Sequence, residues 1–170
     1  MVAHTPDLVL RPARPDDAEA IAVLWHQGWR DGHAGHVPAE LYRHRRLADF
    51  RDRVPPRLPA TTVGTLGARV VGFVTVSDDE VEQVYVAGPA RGTGVADTLL
   101  TTGERAVAER FDIAWLAVAV GNTRARRFYA RRGWHDAAAL DYRAEAGTGG
   151  PDRGATTVTV ACRRYEKRVR

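Results

Sequence analysis

The chain has 170 residues and a single cysteine, Cys162, so no disulfide can close within it. That scarcity suits a reducing compartment, and a cytoplasmic location is expected. Lysine is equally scarce: Lys167 is the one lysine, and every other basic residue is arginine. No apolar run reaches the length of a membrane helix, and the first residues lack the charged-then-apolar pattern of a secretion signal. A soluble protein with no membrane partner is the expectation. Basic residues are not interleaved with an aromatic platform, and the net charge of +4 is spread along the chain, which argues against nucleic acid. His26, His33, His36 and His44 follow no ligand spacing and no cysteine joins them, so no metal is expected. Internal repeats are absent. What remains is ordinary globular composition, 44% hydrophobic and 27% charged, consistent with one domain over 1–170.

The richest stretch is 84–96, Val-Tyr-Val-Ala-Gly-Pro-Ala-Arg-Gly-Thr-Gly-Val-Ala. A short apolar strand runs into a glycine-punctuated turn that opens a helix. Unpaired amides at a helix start, with the positive end of the dipole, suit an anion. Gly92 and Gly94 let a phosphate approach the backbone, and Arg91 adds positive charge. The third glycine of a dinucleotide fingerprint is missing, since Asp97 stands there, and no Gly-Lys-Ser/Thr follows. Alone, the stretch reads better as a tight turn without a ligand.

A second stretch, 122–134, reads Asn-Thr-Arg-Ala-Arg-Arg-Phe-Tyr-Ala-Arg-Arg-Gly-Trp. Asn122 suits a helix N-cap and Gly133 the C′ position behind two arginines. Ala125, Phe128 and Tyr129 form one apolar stripe at i, i+3, i+4. Around these landmarks the pattern predicts a strand at 7–12, a helix at 16–30 started by Asp16 with Glu19 in capping-box spacing, and a helix at 39–50. Strands are expected at 60–66, 69–77, 81–87, 113–120, 134–142 and 155–165, with helices at 93–110 and 122–132. Gly147 to Gly154 reads as a flexible loop. The order indicates a mixed sheet with helices on both faces.

Taken together, the two stretches resemble the GCN5-related N-acetyltransferase (GNAT) family. Its Arg/Gln-x-x-Gly-x-Gly/Ala motif stands here as Arg91-Gly92-Thr93-Gly94-Val95-Ala96. Its following helix, Asn-x-x-Ala-x-x-Phe-Tyr-x-x-x-Gly-Phe, stands as Asn122, Ala125, Phe128, Tyr129, Gly133 and Trp134, with Trp replacing Phe. Residues 10–18 are similar to the family's first strand and helix start. The resemblance implies a mixed, mostly antiparallel central sheet of about six to seven strands flanked by about four helices. It implies acetyl-CoA as cosubstrate, bound by 91–96, by Val84, Tyr85 and Val86 of the preceding strand, and by Asn122, Ala125, Phe128 and Tyr129. The acceptor it implies is a primary amine of a small molecule or peptide, attacking directly in a ternary complex. Dimers are common in the family. A non-catalytic acyl-CoA-binding module on the same fold is the alternative.

For catalysis the resemblance points to Tyr129 as acid toward the leaving thiolate, with backbone amides near Val86 stabilising the oxyanion. It also points to a glutamate on strand 81–87 as base. Glu80 and Glu82 are two residues apart and so share a face, with Val84 and Val86 continuing it, and Glu82 is preferred. Trp25, Trp29 and His33 recur every fourth residue on the first helix, with His36 following. They form either an aromatic wall for the amine, with His33 or His36 as an alternative base, or plain core. Loops 31–38, 51–60 and 143–154 are expected to shape the acceptor site.

Overall fold

The computed structural model describes residues 7–147 and 156–170. The remainder of the predicted loop at 147–154, beyond Gly147, lies outside the described residues, as does the expected start of the last strand at 155. Seven strands form one sheet: β1 (Leu8–Pro12), β2 (Thr61–Leu66), β3 (Arg69–Ser77), β4 (Glu80–Val86), β5 (Ile113–Ala119), β6 (His135–Glu145) and β7 (Thr157–Arg168). Their order is β1-β2-β3-β4-β5-β7-β6. Every neighbouring pair is antiparallel except β4 and β5. The helices are α1 (Ala18–His33), α2 (Ala39–Tyr42), α3 (Leu47–Arg53), α4 (Val95–Ala108) and α5 (Thr123–Arg131), with short 3-10 turns between some elements.

Apolar side chains gather into two clusters, one with α1–α3 and one with α4 and α5, so each sheet face is covered. On the first face Ile21, Trp25 and Trp29 of α1 pack with Phe50, Val63 and Phe73. On the second, Val95, Leu99, Leu100 and Val107 of α4 are buried, one apolar stripe of the helix.

The start of α1 differs from expectation. The helix begins at Ala18 after a 3-10 turn at Pro15–Asp17, and Asp17 rather than Asp16 is the structural residue. Its buried carboxylate accepts from the Arg14 amide at 2.7 Å and from both terminal nitrogens of Arg11 at 2.7 and 2.8 Å. Glu19, freed from capping, pairs with Arg51 of α3. The helix predicted at 39–50 also divides. Asp49 accepts the Arg46 amide at 2.8 Å and starts a new helix there. The break lets the chain turn between Arg43 and Arg46, which carries Arg45 inward to 9% exposure.

What positions the site is the failure of β4 and β5 to pair. They meet at a single point, Glu80 beside Trp115, where the Trp115 amide donates to the Asp79 carbonyl at 3.0 Å. Beyond it the strands part, while β5 stays zipped to β7 from Ile113 to Ala119.

Candidate active site

A cleft of about 780 Å³ opens where β4 and β5 separate. Successive strand residues turn their peptide groups to opposite sides. The Ala87 amide donates to the Val71 carbonyl at 2.8 Å, toward β3, so the amides of Val86 and Val84 face the gap. Unpaired strand donors are thus presented along one wall.

The strand's side chains do not follow the simple alternation. The β3–β4 register shifts at Thr75/Val76, leaving Glu82 as an extra residue. Val81, Val84 and Val86 consequently pack with the α4 cluster, whereas Tyr85 packs with the α1 cluster. The expectation that Glu82 shares a face with Val84 and Val86 is therefore corrected: its carboxylate turns to the other side and accepts from Arg57 Nε at 2.8 Å. Both glutamates still line the cleft.

The two carboxyls differ in state. Glu82 is tied to Arg57, and the Gln83 amide reaches it at 3.4 Å. Glu80 has no hydrogen-bond partner among the described residues. Burial, with the charges of Glu82 and Asp79, pushes its carboxyl up to about 7, against the opposing pull of Arg164 and Arg57. A carboxyl poised near neutrality can take or hold a proton.

At the other wall, the turn before α4 holds Gly92 at φ +76° and Gly94 at φ +87°, and a Cβ added at either would meet nothing within 4 Å. The left-handed backbone explains the glycines, and the open space above them is room for a ligand. The first helical bond runs from the Thr98 amide to the Gly94 carbonyl at 3.0 Å, so the amides of Val95, Ala96 and Asp97 lack intrahelical partners. Arg91, Gly92, Gly94 and Ala96 line the cleft; Thr93 and Val95 do not. The Thr93 hydroxyl donates to the Ala90 carbonyl at 2.6 Å, and Val95 is buried under the helix. Arg91 is not a lone charge, because Asp31 of α1 holds it at 2.6 Å.

Asn122 caps α5 as expected, accepting from the Ala125 amide at 3.2 Å. Gly133, at φ +80°, ends the helix, and the Trp134 amide returns to the Tyr129 carbonyl at 3.1 Å. Asn122, Ala125, Phe128 and Tyr129 all line the cleft. Tyr129 sits among Phe128, Trp134 and Tyr165, and burial pushes its phenol up to about 12. At neutral pH the phenol is therefore protonated.

Trp25 and Trp29 are core residues, 6% and 5% exposed, whose edges also line the cleft. His33 lies stacked on Trp29 with ring centroids 5.2 Å apart, its Nδ1 3.0 Å from the Trp29 carbonyl oxygen. Burial holds it below the ordinary histidine range, hence neutral. His36 does not line the cleft: it is exposed, and its ring lies against Gly121, where an added Cβ would strike it.

Four cleft residues carried no signal in the motifs: Arg45, Arg53, Arg57 and Tyr142. Arg53 and Arg57 fall in the 51–60 segment expected to shape an acceptor site, but only the fold reveals that they point inward. No group of three or more metal-ligating side chains converges among the described residues, and no helix among them is long and apolar enough to cross a membrane.

The chain resembles several solved structures over nearly its whole length. A GCN5-related N-acetyltransferase from Rhodopseudomonas palustris is 24% identical, with a TM-score of 0.70 over 99% of this chain and 98% of that one. The PaiA N-acetyltransferase of Thermoplasma acidophilum, solved with coenzyme A, is 15% identical with a TM-score of 0.67, covering 95% and 99%. YncA of Salmonella typhimurium, solved with its cofactor acetyl-CoA, is 16% identical with a TM-score of 0.68, covering 96% and 95%. At these identities the likeness is one of fold. No curated protein matches the chain. The sequence signature of the acetyltransferase (GNAT) family matches residues 19–134, which is more than half of the chain and spans both motifs. The protein belongs to the acetyltransferase (GNAT) family.

Proposed function

We propose that the protein transfers an acetyl group from acetyl-CoA to a primary amine of a small molecule or peptide, by direct attack within a ternary complex. One observation carries this reading. The cleft where β4 and β5 part brings together free backbone donors, an open glycine turn at a helix start, a half-buried tyrosine and a carboxyl poised near pH 7.

The fit to acetyl-CoA rests on the turn. Gly92 and Gly94 leave the space, and the amides of 95–97 supply the donors, that a pyrophosphate needs. Arg91 stands beside them, and Thr93 holds the turn from within. The gap-facing amides of Val84 and Val86 suit a cosubstrate arm laid along the strand, as well as the oxygen that becomes negative when the amine attacks. Holding both reactants in one cleft converts an encounter into a nearly unimolecular step.

Glu80 accepts the proton that the amine must lose, directly or through water, in preference to Glu82. As the amine nitrogen bonds to the thioester carbon, the C–S bond breaks and the sulfur leaves needing a proton. Tyr129 donates it. The single buried thiol, Cys162, pushed up to about 11 by burial, takes no part and fits a reducing cytoplasm. Calorimetry with acetyl-CoA, followed by thiol release across a panel of primary amines, tests the reading. Binding with amine-dependent release supports it. Binding without release for any amine points to an acyl-CoA-binding module instead.

A further inference from the structure

Arg45, Arg53 and Arg57 converge on the acceptor side of the cleft from the α2–α3 segment and the turn that follows. Each guanidinium lies against an aromatic ring: Arg45 5.6 Å from Trp29, Arg53 6.0 Å from Phe50 and Arg57 5.5 Å from Trp25. Arg57 has its carboxylates, Glu82 at 2.8 Å and Glu145 at 3.6 Å. Arg45 and Arg53 have none within 4.0 Å among the described residues, although they are only 9% and 8% exposed.

Both are held instead by a backbone carbonyl. Arg45 Nη1 donates to the Glu145 carbonyl oxygen at 2.7 Å and to that of His44 at 2.9 Å, and Arg53 Nη2 donates to the Glu145 carbonyl at 3.0 Å. No buried side-chain nitrogen in the described structure lacks a partner. The remaining guanidinium nitrogens of these two arginines, which make no bond, therefore keep some access to solvent, and both residues line the cleft. Burial lowers Arg45 to about 10, which still leaves it charged at neutral pH. Two largely buried positive charges whose attracting carboxylates, Glu145 and Asp49, stand beyond ion-pair distance are costly to a fold, and an anionic ligand would repay that cost. Arginine forks match a carboxylate with two parallel hydrogen bonds.

We propose that the acceptor is an amino acid-like small molecule whose carboxylate seats on Arg45 and Arg53 while its amine reaches Glu80. This rests on the transferase reading above and names its substrate class. Trp29 and Tyr85 then flank the acceptor as an apolar wall.

The test is acetyl-CoA-dependent thiol release with the twenty L-amino acids, each paired with its carboxamide, and with β-alanine paired with 2-aminoethylphosphonate. A carboxamide's amine is the more readily neutral, so chemistry alone favours the amide. The expected result is the reverse, with kcat/KM for the best acids at least about ten-fold above their amides. That ratio should collapse in Arg45→Met and Arg53→Met. Should either variant fail to fold, the wild-type ratio still decides.

Amides used as well as or better than acids overturn the inference and leave the transferase intact. Phosphonate preferred to β-alanine overturns the carboxylate assignment. Acetyl-CoA bound but no thiol released with any amine overturns the transferase reading and this inference with it.

Discussion

At the scale of single residues, the two glutamates of β4 show how environment assigns roles that sequence leaves open. Spacing places both on one strand and prefers neither by itself, whereas in the fold Arg57 holds Glu82 and leaves Glu80 without such a partner. The bulge that turns Glu82 aside leaves no trace in an alternating pattern. The charges around Glu80 give a signed prediction. Glu82 and Asp79 raise its pKa, whereas Arg164 and Arg57 lower it. The rising limb of the pH–rate profile should lie near 7, move to lower pH in Glu82→Gln and to higher pH in Arg57→Met. Glu80→Gln should remove the limb and lower the rate at pH 7 by roughly 10²- to 10⁴-fold, the range for lost general base catalysis. A limb that survives in Glu80→Gln would assign the proton to another group. Tyr129→Phe should lower kcat by roughly ten- to a thousand-fold with acetyl-CoA affinity little changed, because the thiolate it protonates exists only as the reaction proceeds. Weakened affinity at an unchanged rate would make Tyr129 a packing residue.

At the scale of elements, the motifs were legible because their chemistry is local. The glycines before α4 and the Asn122 cap of α5 act through backbone a few residues away, so spacing alone announces them. The α2–α3 region departs from the single helix expected at 39–50, and its contacts are not all local. The inward-turned Arg45 is held by the Glu145 carbonyl, a hundred residues distant in sequence. The cap of α1 was displaced likewise, since Arg11 of β1 recruits Asp17 rather than Asp16. The turn before α4 carries its own prediction. Gly94 sits at φ +87° with nothing near its side-chain position, so valine there strains the backbone and fills ligand space without striking the core. Gly94→Val should cost about 1–3 kcal/mol in stability yet stay folded, and lose at least about ten-fold in acetyl-CoA affinity by calorimetry. Unchanged affinity in the folded variant would remove the anchor from this turn.

At the scale of the whole molecule, the sheet is sacrificed locally to make a site. Strands β4 and β5 forgo pairing beyond Glu80 and Trp115, and the half-buried Glu80 carboxyl is left without a hydrogen-bond partner among the described residues. That arrangement should be visible in stability. A carboxyl raised from 4.5 to about 7 in the fold contributes fully below pH 4.5, and its contribution is lost as pH rises through 7. Glu80→Gln should therefore match wild type near pH 4.5 and gain on it progressively to pH 8, as read from urea midpoints. A pH-independent difference would mean that Glu80 is not strained in the fold. The central claim is that the cleft carries acetyl from thioester to amine. Its most direct test is the ratio of thiol released to N-acetylated amine formed, measured together on wild type with an amine acceptor. The account predicts equal amounts, with both falling together in Glu80→Gln; thiol released without acetylated amine, or acetyl-CoA bound and left intact, would contradict it.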